Sequence, residues 1–120
     1  MRFGILVGAA MVVFAAPAAA QNVGGRYQVQ GSNFNGSPYS GTAEIVLTSN
    51  NTCRITWQTG GQTSQGICMR NNNAFSASYQ LGRTIGLVIY EMQPDGSMRG
   101  LWTIADQNGI GREVLTPIKQ

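Results

Sequence analysis

CRITWQTGGQTSQGIC, residues 53–68, carries two strand-like runs on either side of a glycine pair. Ile55 and Trp57 alternate with Arg54, Thr56 and Gln58, the period-two pattern that buries one face of a strand and wets the other. Gly60-Gly61 supplies the backbone freedom that a tight hairpin reversal needs. With that pair at the centre, position 58 faces 63, 55 faces 66, and Cys53 faces Cys68. A two-residue turn makes the cysteines a hydrogen-bonded pair, and a four-residue loop over 59–62 makes them the closer non-hydrogen-bonded pair. Either way the sulfurs come within disulfide reach. The same register sets Trp57 opposite Ser64 and Ile55 opposite Gly66, which leaves room for both large side chains.

Working outward, turn signals divide the chain at Gly31 to Pro38, Asn50-Asn51, Gly60-Gly61, Asn71 to Asn73, Gly82-Arg83, Pro94 to Gly96 and Asp106 to Gly109. Each holds residues that tolerate positive φ or set up a reversal. The segments between them alternate. Tyr27 and Val29 share a face, as do Ala43, Ile45 and Leu47. So do Phe75, Ala77, Tyr79 and Leu81, and Met98, Gly100, Trp102 and Ile104. The sixth segment, 85–92, is apolar on both faces, so its orientation is open. No stretch has a helical period, and no gap holds a crossover helix. Seven turns and eight segments predict an all-β fold, an eight-stranded antiparallel up-and-down barrel, with a two-sheet β-sandwich as the alternative.

The amino terminus has another purpose. Arg2, an apolar run from Phe3 to Ala16, Pro17 and then Ala18-Ala19-Ala20 read as a secretory signal cleaved after Ala20. The run is shorter than the ~20 residues a spanning helix needs, so no membrane span is expected after cleavage. The domains are therefore a signal peptide, 1–20, and a single β-barrel, 21–120. Export to the periplasm or beyond favours an oxidised Cys53–Cys68 pair. A redox or metal role is disfavoured, because the chain has no histidine and no C-x-x-C spacing. Closing so short a loop contributes about 3 kcal/mol in the chain-entropy model.

Charge gives little direction. Losing Arg2 takes the formal net charge from +3 to +2, and the remaining cations are scattered singly. Nucleic-acid binders cluster such charge, so no nucleic-acid partner is expected. Asp95 and Asp106 fall in turns, where carboxylates cap the local backbone, and Glu44 alternates with the core. No nucleophile, phosphate-loop or calcium-loop spacing is present, so no catalytic residues, cofactor or metal are assigned and the chain does not read as an enzyme.

Glu113 stands apart. It shares register with Gly111 and Leu115. If that face points inward, a carboxylate sits inside the barrel and must be hydrogen-bonded there, by tyrosine hydroxyls or an arginine. If Val114 points inward instead, Glu113 is in water, and the local pattern does not decide. Tyr27, Trp57, Tyr79 and Trp102 lie on inward faces and are, with Glu113, the candidate ligand-binding residues. In so short a chain, however, core filling is the preferred reading of the aromatics. Phe34, among small polar residues in the longest predicted connection, is the candidate partner-binding residue, although it can equally fold back as a cover. Val46, Ile67 and Val88 are expected on the outer wall, where stacking between copies is conceivable, and the oligomeric state is open.

The spacing Tyr27-x-Val29-x-Gly31-x-Asn33-x-x-Gly36-x-x-Tyr39-x-Gly41, then Ile55-x-Trp57-x-x-Gly60, Gly66-Ile67, Gly86-Leu87-x-x-Tyr90, Gly96-x-x-x-Gly100-x-Trp102-Thr103 and Gly111-x-Glu113, spans nearly all of the mature chain. It resembles a family of small bacterial proteins, secreted or cytoplasmic, some labelled fibronectin-binding protein. The label names no mechanism. The two cysteines and Arg112 depart from that pattern. The expected function is a secreted or periplasmic protein-binding module of adhesin or inhibitor type, its partner an unknown protein. The alternative is a small-ligand carrier with an aromatic-lined interior, its partner a small molecule.

Overall fold

The computed structural model describes residues 22–119, so the expected signal segment, 1–20, lies outside the described residues. The elements are β1 (Gly25–Ser32), β2 (Pro38–Leu47), β3 (Cys53–Thr59), β4 (Gln62–Asn71), β5 (Ala74–Leu81), β6 (Thr84–Met92), β7 (Met98–Ile104) and β8 (Gly111–Pro117). Each pairs antiparallel with the next, and β8 returns to β1, so the sheet closes and leaves no edge. Closure sets the sandwich alternative aside.

The central hairpin has the two-residue form. Gly60 and Gly61 take φ of 57° and 76°, the left-handed pair that matches the twist of the flanking strands. Thr59 therefore pairs with Gln62, and Cys53 meets Cys68 directly. The two are disulfide-bonded with their Cα atoms 5.0 Å apart.

Three expectations about position are corrected. Tyr39, which follows the turn signal ending at Pro38 and is expected ahead of the second strand, lies within it. β2 begins at Pro38, because a first strand residue needs no ladder N–H. The longest connection is 105–110, between β7 and β8, whereas the β1–β2 loop shortens to 33–37 as its ends zip into strands. In β6, Gly86, Val88 and Tyr90 face inward, and Leu87 and Ile89 face water at 59% exposure each. Val88, expected outside, is buried at 2% exposure, because its partners Ala77 and Trp102 both face inward.

Packing differs along the barrel axis. One end is filled: Val23, Phe75, Met98, Leu115 and the disulfide are buried there, and the Tyr27 hydroxyl donates to the Val23 carbonyl at 2.7 Å. At the other end, the hairpin turns at Gly60-Gly61 and Gly82-Arg83 surround an opening.

Candidate functional site

Five positions in adjacent strands form one inward row. Gly31 of β1 lies between Tyr39 of β2 and Glu113 of β8. On the other side of Glu113, Gly100 of β7 lies between it and Tyr90 of β6. The row reads Tyr39, Gly31, Glu113, Gly100, Tyr90. A tyrosine ring can lean along the barrel wall only where its neighbour has no side chain. A Cβ on Gly31 would come within 2.4 Å of the Tyr39 hydroxyl, and one on Gly100 within 2.5 Å of the Tyr90 ring. Both rings therefore lie over glycines, and both hydroxyls converge on the carboxylate.

Glu113 is buried at 7% exposure. The Tyr39 hydroxyl donates to Oε1 at 2.7 Å. Trp57 Nε1 donates to Oε2 at 3.0 Å, and the Tyr90 hydroxyl donates to the same oxygen. The register leaves Glu113 inward and Val114 on the outer wall. Tyrosine hydroxyls and an indole answer the carboxylate, and among the described residues no cationic side chain contributes. Burial outweighs these hydrogen bonds and holds the Glu113 carboxyl above its ordinary range. Burial first, and the nearby carboxylate second, push Tyr79 up to about 12 and Tyr90 well above the usual phenol range.

Above this row lies a cavity of about 420 Å³. Trp57, Tyr79, Trp102, Tyr39, Val88 and Glu113 line its depth, while Asn33, Gln62, Leu81, Thr84 and Ile104 lie nearer the turns. Tyr79 meets Trp57 edge-on at 5.5 Å between centroids and donates to the Thr103 carbonyl at 3.0 Å. Trp102 lies over Gly111, where a Cβ would come within 2.0 Å of its ring. Its Nε1 is buried with no hydrogen-bond partner among the described residues.

Of the candidate ligand-binding residues, Trp57, Tyr79, Trp102 and Glu113 meet around one cavity. Tyr27 does not. It belongs to the filled end, because it starts the inward face of β1 beside Val23. The preference for a filled interior holds at that end only, since the aromatics at the other end leave the cavity between them. Phe34 folds back and stacks on Trp102 at 4.9 Å, half-buried, so it covers the rim rather than projecting from it. Gly109 makes space for it, as a Cβ there would meet the ring at 2.6 Å. Tyr39 and Tyr90 were missed as site residues. Their signal is the glycine directly opposite each on the neighbouring strand, Gly31 for Tyr39 and Gly100 for Tyr90, legible only with a register in hand.

The fold and interior define a small, closed, up-and-down β-barrel with one open end. No protein-family model matches the sequence, and no curated protein matches it. Solved structures do. A redesigned β-barrel aligns with a TM-score of 0.71 at 15% identity, covering 81% of this chain and 92% of that one. A second redesigned β-barrel, solved bound to DFHBI, aligns at 0.68 and 17% identity, covering 80% and 96%. A Schistosoma mansoni fatty acid binding protein, solved with arachidonic acid, aligns at 0.52 and 8% identity, covering 83% and 99%. At these identities the likeness is one of fold.

Proposed function

We propose that this protein is a small-ligand-binding barrel whose site is the open half of its interior. The observation that carries the reading is the cavity of about 420 Å³ above a filled end. Small-molecule sites are typically concave, upward of ~300 Å³, and mostly apolar with a few placed polar groups. Here Trp57, Tyr79 and Trp102 supply the apolar faces, and Glu113 with its donors supplies the polar floor. Two of the structurally similar barrels, designed and natural, were solved with small molecules bound, which fits the same use of the interior. A loop-borne adhesin surface has less support, because Phe34 is engaged with Trp102. The disulfide fits a barrel that works in an oxidising compartment, secreted or periplasmic.

The test is a titration with a panel of apolar dyes that brighten in a dry cavity, followed in wild type and in Thr84→Phe. Thr84 lines the cavity at the start of β6, beside a turn. Filling that position should weaken binding roughly tenfold or more, equivalent to about 1.4 kcal/mol, while the melting temperature changes little. Dye binding that ignores Thr84→Phe would place the site elsewhere.

A further inference from the structure

We infer that the ligand is a small aromatic cation, an ammonium or amidinium carried on a planar body, and that Glu113 supplies its counter-charge. This rests on the cavity reading above and adds a charge to it. Three observations lead to it. The carboxylate at the floor has three neutral donors, Tyr39, Trp57 and Tyr90, and no cationic partner among the described residues. A buried carboxylate with hydrogen bonds but no opposite charge lacks what usually compensates its desolvation. The residues lining the cavity include neither lysine nor arginine, so an anionic ligand would meet an unopposed carboxylate and find nothing to pair with. Finally, the approach to Glu113 runs between the rings of Trp57, Tyr79, Trp102 and Tyr39, whose electron-rich faces attract cations, indole most strongly.

An ionised carboxylate offers about four acceptor positions, and the three donors leave one for an incoming N–H. No covalent chemistry is involved. The selectivity is electrostatic, and burial of the Glu113 carboxylate strengthens it.

Tryptamine, tryptophol and indolepropionate share one ring system and differ in end-group charge. Their affinities for the wild-type barrel, by calorimetry, should fall in the order cation, neutral, anion, with the cation at least roughly tenfold tighter than the neutral alcohol. In Glu113→Gln the ratio of cation to neutral affinity should collapse towards one. If tryptophol binds as well as tryptamine, or indolepropionate binds better, the cation assignment falls while the cavity reading stands. If none of the three binds, the cavity reading falls with it. A tryptamine preference that survives in Glu113→Gln would remove Glu113 as its source. The wild-type series decides charge preference even if the variant folds poorly.

Discussion

Glu113 is an acid held without a counter-charge, and its titration should be visible in stability. Its carboxyl is raised by burial, so the folded protein binds a proton more readily than the unfolded chain. A raised group contributes stability that is fully present below the unfolded value and is lost as pH rises through the folded one. Stability should therefore increase as pH is lowered from neutral towards the ordinary glutamate value of 4.5. The ionisable groups facing it, Tyr39, Tyr79 and Tyr90, all titrate above that window. Asp95, lowered from 3.8 by its hydrogen bonds to Ser97, acts below it. Urea unfolding across this range should show the gain in wild type and lose it in Glu113→Gln. An equal slope in both proteins would mean that the carboxyl does not titrate there.

At the scale of single strands, the determinants are small residues beside large ones and the covalent tie between β3 and β4. An alanine at Gly100 would bring its Cβ within 2.5 Å of the Tyr90 ring and 2.9 Å of the Ile89 carbonyl. The carbonyl belongs to the β6–β7 ladder and cannot swing away, so Tyr90 must leave its place over β7. Overpacking of this kind costs about 1–3 kcal/mol. Gly100→Ala should show that loss in chemical denaturation, together with a weakened Glu113 site. The disulfide acts on the unfolded chain instead. Replacing Cys53 and Cys68 together by alanine should cost about 3 kcal/mol, read as a lower denaturation midpoint. The variant should keep its β-sheet spectrum, because the hairpin register is also set by Gly60-Gly61 and by Trp57 over Ser64.

Across the whole molecule, stability and binding separate along the barrel axis. The filled end carries the tightest packing, with Phe75 and Met98 both at 0% exposure. Phe75→Ala should cost about 3–5 kcal/mol, since a buried ring is removed and its surroundings cannot fully collapse. Trp102→Ala at the open end should cost less, because that ring already borders the cavity and Phe34 rather than a closed core. Its effect should fall on ligand affinity. Thermal melting and dye titration of the two variants side by side check this. Equal destabilisation would mean that the open half is packed as firmly as the closed one.

Alternating runs, evenly spaced turns and the Cys53–Cys68 spacing determined strand number, antiparallel order and the disulfide, because a two-residue period and a short reversal are local properties that a linear reading captures. The segment 85–92 was apolar on both faces, and β8 alternated Glu113 with Val114, so neither declared its inner face. Neighbouring strands decided both, placing Val88 beside Ala77 and Trp102, and Glu113 between Gly31 and Gly100. Only closure of the barrel brought Tyr39, Trp57 and Tyr90, from three different strands, onto one carboxylate. Whether the interior is filled or hollow also depends on how summed side-chain volumes meet the enclosed space, a property of the closed sheet that no single strand carries.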